Sequence, residues 1–287
     1  MLKEIVSQYT DSITIRRIKR KYKNSLLSKI LVNYLLGKEK IYSDDGIIIY
    51  EDIIKVKLNK DAKNLLELPK DEIIEKLKKE KYFLIDCSLY NLHSKKGKES
   101  LKVQISQSLA VIRRYLFDIN LIIINKDMDL SFLGKNMIKV FKNVNEIDFS
   151  KYNPVILDPY AEKELKEDEI KDFNLFLLGG IVDVGLNWER ATEYLFRDLN
   201  FERRKIVLGD TIIGVPDRIN LIIKILLETY YDKIPLEKAI VKNQGKKDII
   251  NRIFYELKKG SSVDEMLKYI NISKEKLEEF IKRYKTK

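Results

Sequence analysis

The chain has one cysteine, Cys87, and one histidine, His93, in 287 residues. Intrachain disulfides, Cys-rich zinc sites and His-rich metal centres are excluded together, and no metal is expected. A Ser-His-Asp triad would have to use His93, and nothing around it resembles a nucleophile elbow. Catalysis must run on carboxylates, backbone amides, Lys, Arg or Tyr. Glycine (11) and proline (5) are scarce, which removes collagen-like and low-complexity chains. Long apolar runs are missing as well. The longest stretches without a charged side chain, Val103 to Ile112 and Phe173 to Val182, are ten residues each, whereas a membrane-spanning helix needs about 20. The N-terminal segment has charges inside its only apolar stretch and no small-residue cleavage site, so no secretory signal is expected and the expected location is cytoplasmic.

What is present is a globular composition, 45% hydrophobic and 34% charged, long enough for one large core with appendages or roughly two domains. The net charge of +11 suggests a polyanionic partner, and its distribution says more than its size. Residues 1–80 carry 18 basic against 13 acidic side chains, residues 81–235 carry 23 against 23, and residues 236–287 carry 14 against 8. A neutral middle lies between two basic flanks. In the first flank, Arg16-Arg17-Ile18-Lys19-Arg20-Lys21-Tyr22-Lys23 reads either as a solvated helix face or as a contact to several phosphates, with a tyrosine able to stack on a base.

The middle alternates short apolar runs with amphipathic stretches, which predicts an α/β layer with a mostly parallel sheet covered on both faces. The expected strands are Tyr82 to Cys87, Leu121 to Asn125, Pro154 to Asp158, Leu175 to Asp183 and Lys205 to Leu208. The expected helices are Glu99 to Phe117, a short one near Leu130 to Phe141, Glu162 to Ile170, Trp188 to Leu199 and Pro216 to Tyr231. Before them, Ile13 to Leu36 reads as a helix, Ile47 to Tyr50 and Ile53 to Leu58 as a hairpin, and Asp71 to Lys79 as a helix. After Pro235 the chain reads as wholly helical, with breaks at Gly245 and Gly260-Ser261-Ser262.

Ligands of open α/β sheets bind beyond the carboxyl ends of the strands. Neither a Walker A lysine loop nor a G-x-G-x-x-G fingerprint is present. The pair Gly179-Gly180 and the turn Gly214-Val215-Pro216 either admit close approach of a ligand to backbone or are turns without one. Four acids stand at strand ends: Asp86, Asp158, Asp183 and Asp210. Each alone is explained as a cap of the following turn. Asp183 differs because it follows a buried apolar run beside a glycine pair, well placed to touch a reactive base. Cys87 and Trp188 read as packing residues.

The order Asp86-Cys87-Ser88, a helix with Ser106-Gln107 and Arg113-Arg114, Pro154-Val155-Ile156-Leu157-Asp158, Gly179-Gly180-Ile181-Val182-Asp183, Arg203-Arg204-Lys205 and a final Val215 to Leu227 helix resembles the tRNA position-9 purine N1-methyltransferases of the SPOUT superfamily. The resemblance spans roughly Tyr82 to Tyr231, and the flanks resemble the archaeal branch. It implies a SPOUT-like parallel sheet with a C-terminal trefoil knot (81–235), flanked by a small α+β domain (1–80) and a helical domain (236–287) that grip tRNA. It implies S-adenosylmethionine held by three loops, hence by Leu157, Asp158, Gly179, Gly180, Ile181, Val182, Leu208, Gly209, Gly214 and Val215. Asp183 matches the acid that handles the purine, and Asp86 and Gln107 match positions near the target base. Arg113 and the flank residues Arg16, Arg17, Lys19 and Arg20 are the expected tRNA contacts. The sequence departs from the pattern at Ile212 to Pro216, where eukaryotic members are Thr-rich, and at Val184-Gly185 after the motif acid.

The expected protein is a monomer forming N1-methyladenosine at position 9, with guanine, or both bases, as the alternative. A non-catalytic RNA-binding protein of the same fold and a small-molecule α/β enzyme with incidental basic flanks are the rivals.

Overall fold

The computed structural model describes residues 1–18, 25–125, 127–182 and 189–285. Lys19 to Lys23 of the basic run, and Asp183 to Trp188, lie outside the described residues.

The chain opens with α1 (Leu2–Ser7), β1 (Ser12–Ile15) and α2 (Leu26–Leu35). The single helix expected over Ile13 to Leu36 is therefore divided. Ser12-Ile13-Thr14-Ile15 is β-branched at three of four positions, which favours a pleated strand over a helix. It pairs in parallel with β3 (Lys55–Leu58), which in turn pairs antiparallel with β2 (Ile47–Tyr50) in the expected hairpin. Arg16 follows the strand rather than riding on a helix. Its guanidinium donates to the Ala62 carbonyl at 2.9 and 2.6 Å and lies over the Tyr42 ring at 4.6 Å, while Arg17 is exposed. The helix α3 (Lys70–Leu77) leads into the main sheet.

That sheet has six strands, all parallel: β4 (Tyr82–Asp86), β5 (Leu121–Ile124), β6 (Lys139–Phe141), β7 (Pro154–Leu157), β8 (Leu175–Gly179) and β9 (Glu202–Arg204), in the order β6-β5-β4-β8-β7-β9. Period-two alternation divides it into two buried faces. Phe83, Ile85, Ile123, Val155, Phe176 and Leu178 join the large core with α4 (Lys95–Tyr115) and α6 (Ile219–Tyr231). Leu84, Ile122, Ile156, Leu175 and Leu177 pack on the other face beneath Ile147 and Phe196, edged by Phe149, Tyr152 and Phe201.

Four expectations need correction here. The short helix near Leu130 to Phe141 is a single 3-10 turn, Ser131–Leu133, followed by the edge strand β6. Glu162 to Ile170 holds only a 3-10 turn, Glu167–Lys171. The last strand is Glu202–Arg204 rather than Lys205 to Leu208, because arginines that are paired to acids can sit in an edge strand that a search for apolar runs passes over. Arg204 pairs with Glu169 at 3.0 Å and with Glu202, and Arg203 with Asp158 at 3.1 Å. The helix α5 (Ala191–Leu195) is shorter than expected.

Lys81, just ahead of β4, is buried and donates to the carbonyls of Ile170, Lys171 and Phe173 at 2.8, 2.7 and 2.5 Å. It closes the turn that feeds β8. Lys81→Met should cost about 3 kcal/mol in urea unfolding because three carbonyls lose a charged donor. A loss below about 1 kcal/mol would show that the carbonyls find water instead.

After Pro235 the chain is helical as expected: α7 (Leu236–Asn243), α8 (Lys246–Lys259), α9 (Val263–Met266) and α10 (Lys274–Lys285). Gly260, at φ 80°, terminates α8, and the Ser262 hydroxyl caps α9. Leu236, Ala239 and Ile240 of α7 belong to the large core, whereas Ile253, Met266, Ile270 and Leu277 form a small core of their own. Among the described residues no helix is long and apolar enough to cross a membrane.

Candidate active site

The connections after β4 and β8, which are neighbours in the sheet, leave in opposite directions, the arrangement that opens a crevice beyond the strand ends. A cavity of about 620 Å³ lies there, within the range of small-molecule and cofactor sites. Three separate segments converge on it: Leu157 to Tyr160 after β7, Gly179, Ile181 and Val182 after β8, and Ile212, Val215 and Pro216 ahead of α6. Leu178, Ile206 and Ile222 complete an apolar wall, while Asp217, Arg218, Arg190, Glu189 and Lys247 bring charge to the edge.

The expected cofactor residues divide into two groups. Leu157, Asp158, Gly179, Ile181, Val182 and Val215 line the cavity, and Gly180, Leu208, Gly209 and Gly214 do not. Gly180 is glycine for another reason. Its N–H donates to the Asp86 carbonyl at 2.7 Å, and a Cβ there would lie 2.6 Å from that oxygen and 2.9 Å from the Cys87 sulfur. The close approach seen at Gly180 is that of strand β4. Asp158 is buried and committed: its carboxylate accepts from the Tyr160 N–H at 3.0 Å and from Arg203 at 3.1 Å.

Asp86 is buried, lines neither this cavity nor the smaller depression beside it, and accepts from the Ser88 N–H at 2.8 Å; burial pushes its pKa up, opposed by the Ser88 hydrogen bonds. Burial likewise pushes the Cys87 thiol up, so it stays protonated as a core residue. Arg113 does not reach the cavity. It is held in a two-pronged ion pair with the fully buried Asp118 at 2.6 and 2.7 Å. Gln107 is exposed and lines a smaller adjoining depression with Lys96, Val103 and Arg218. Asp210 pairs with Lys259 at 2.8 Å, away from the cavity lining.

Residue-level reading missed Gln104, one turn before Gln107. Gln104 is buried, lines both hollows, and accepts at 3.0 Å from the Ile219 N–H, one of the otherwise unpartnered amides of the first turn of α6. A glutamine on the buried Leu101, Ile105, Leu109, Ile112 stripe was the available signal. His93 was missed as well. Its Nε2 accepts from the Val182 N–H at 3.0 Å, and its Nδ1 lies 3.0 Å from the Leu89 carbonyl. An acceptor at Nε2 fixes the neutral tautomer with the proton on Nδ1. His93 thus anchors the backbone at Val182, a structural role rather than that of a triad base.

A family model described as "Protein arginine N-methyltransferase SFM1-like" matches residues 98–247, a span that encloses every residue lining the cavity. The chain belongs to this SFM1-like family. The chain is 38% identical over 176 residues to the tRNA (adenine(9)-N1)-methyltransferase of Sulfolobus acidocaldarius, covering 61% of this chain and 58% of the relative. It is 33% identical over 189 residues to the tRNA (guanine(9)-/adenine(9)-N1)-methyltransferase of Thermococcus kodakarensis, covering 62% of this chain and 50% of that one. The chain therefore spans little more than half the length of the curated relatives it matches. Among solved structures, Sulfolobus acidocaldarius Trm10 in complex with S-adenosylhomocysteine superposes with a TM-score of 0.74 at 26% identity, covering 99% of this chain and 98% of that one. The resemblance carried by the strand-end motifs is thus matched in sequence by two relatives named as tRNA position-9 N1-methyltransferases and in fold by Trm10.

Proposed function

We propose that this SFM1-like protein is an S-adenosylmethionine-dependent tRNA methyltransferase acting on N1 of the purine at position 9, with adenine first and guanine the alternative. The observation that carries this reading is the convergence of the three expected cofactor loops on one cavity in a chain 38% identical to a relative of that activity. The cavity suits the cofactor: Leu178, Ile206, Ile212, Val215 and Ile222 offer apolar surface to an adenosine, and the charged edge suits an amino-acid moiety. When bound, the cofactor supplies an electrophilic methyl group. The flank charges of +5 and +6 favour a polyanion and disfavour the cationic arginine side chain in the family's description.

Residues 81–235 form the methyltransferase domain in this reading, with the C-terminal part of its sheet tied in a trefoil knot. Residues 1–80 and 236–287 grip tRNA, the former through Arg16, Arg17, Lys19 and Arg20. The target base is drawn out of the tRNA core, as base-modifying enzymes require, into the depression lined by Gln107, Lys96 and Arg218, which adjoins the main cavity through Gln104. The protein acts as a cytoplasmic monomer of the archaeal type. Calorimetry with S-adenosylhomocysteine and then with tRNA is the test. Binding of both supports the reading, tRNA alone points to a non-catalytic RNA-binding protein, and the cofactor product alone to a small-molecule enzyme.

Asp183 is the acid that touches the purine in this reading. Guanine N1 carries a proton that must leave, so a base there contributes about 10²- to 10⁴-fold. Adenine N1 offers a lone pair and becomes cationic as the methyl arrives, so a carboxylate only orients the base or stabilises the developing charge. Asp183→Asn should therefore damage guanine activity far more than adenine activity on matched tRNAs differing at position 9. Equal losses with unchanged cofactor binding would defeat this division.

A further inference from the structure

We infer that Arg252, on α8 of the C-terminal helical segment, is a positioning residue that shapes the cofactor side of the cavity from behind; the inference rests on the cofactor reading above. Arg252 is wholly buried, although it lies outside the apolar core. Its guanidinium donates to the carbonyls of Leu208 at 2.5 Å and Ile213 at 3.1 Å, the two ends of the loop whose opposite side presents Ile212, Val215 and Pro216 to the cavity. That loop passes through the left-handed region twice, at Gly209 (φ 65°) and Gly214 (φ 92°), where glycine leaves the backbone conformationally free, so its course depends on the partners its backbone groups find.

Space around the arginine is closely fitted, although its Nε has no hydrogen-bond partner. A Cβ on Gly214 would lie 2.9 Å from the Arg252 Cβ, and the Tyr269 ring covers the guanidinium at 4.2 Å. Glu256, also buried, balances the charge at 2.6 Å, and the Ser261 hydroxyl donates to its other oxygen at 2.5 Å. A buried, compensated arginine aimed at two loop carbonyls is costly to build for stability alone. It makes sense where one loop conformation must be held. Gln244 supports the same loop, donating to the Gly214 carbonyl at 3.0 Å and to the Tyr269 carbonyl at 2.8 Å.

The test uses the full chain. Arg252→Lys keeps the charge with a single donor group, and Arg252→Met combined with Glu256→Gln removes the pair together. Losing charge-assisted hydrogen bonds to the loop should weaken S-adenosylhomocysteine binding about 10-fold in the first variant and about 100-fold in the second. The KM for S-adenosylmethionine should rise in parallel, while kcat at saturating cofactor and the KM for tRNA stay within about twofold, since Arg252 is buried from any RNA. Should the double variant fail to fold, hydrogen exchange on the wild type decides: S-adenosylhomocysteine should slow exchange across residues 246–256 as well as 208–216, by reciprocity of coupled sites. Unchanged affinity in a folded variant, or protection confined to 208–216, overturns the proposal. A wild type that does not bind S-adenosylhomocysteine overturns the cofactor reading and this inference together.

Discussion

A chain ending at Ile234 is expected to lose cofactor binding and most of its thermal stability together, although the sequence reading treats the C-terminal flank as a tRNA-binding appendage. Leu236, Ala239 and Ile240 are buried in the same core as the main sheet, and burial of each large apolar side chain stabilises by about 1.5–3 kcal/mol. Glu237 accepts from the Gly209 N–H at 3.0 Å, Arg252 holds the loop at Leu208 and Ile213, and Lys247 lines the cavity. Removing these contacts consumes the greater part of a folding stability of about 5–15 kcal/mol. Thermal unfolding and calorimetry with S-adenosylhomocysteine check this. A truncated chain that melts like the full one and keeps its affinity would show that the flank is separable.

Gly180→Val should be the most damaging single substitution in the motif, through the fold and not through the ligand. A Cβ at Gly180 meets the Asp86 carbonyl at 2.6 Å and that residue's carbonyl carbon at 3.0 Å, and backbone cannot step aside as a side-chain end can. The β4–β8 pairing, which runs to Asp86 and Gly179, would have to open at its end. The expected loss is above the 1–3 kcal/mol or so typical of overpacking, with cofactor affinity falling alongside. Gly179→Ala is the informative contrast, since its Cβ meets the flexible Ile181 Cδ1 at 2.7 Å and the Thr192 hydroxyl at 3.2 Å beside the cavity. It should cost affinity with a smaller change in melting. Unchanged unfolding with lost binding in Gly180→Val would restore the ligand-approach explanation.

The central sheet was legible because its strands are short apolar runs ending in polar residues, and buried parallel strands leave that signature. Where the signal failed, a physical competitor explains it. In β1 a short strand abuts a basic run, and the two together match a single helical period. In β9 the strand is made of Glu202, Arg203 and Arg204, whose charges are paired with Glu169 and Asp158 rather than replaced by apolar side chains. The cavity's loops were legible from strand ends and motif resemblance, but the roles within them were not. Gly180 and Gly214 are crowded by neighbouring protein, and that information lies in contacts to Asp86 and Arg252, distant in sequence, while Gly209 is favoured by its positive φ. Gln104 and His93 act through backbone amides of Ile219 and Val182, partners that no local pattern names. Arg113, a plausible phosphate contact by residue type, is held by a buried aspartate five residues on.

The most direct measurement of the central claim is mass spectrometry of nucleosides after the full chain is incubated with S-adenosylmethionine and unmodified tRNA transcripts carrying adenine or guanine at position 9. The account predicts N1-methyladenosine confined to position 9, with any N1-methylguanosine confined to the guanine transcripts. Absence of both nucleosides from a protein that binds S-adenosylhomocysteine, or transfer of the methyl group to arginine side chains of added protein instead, would contradict it.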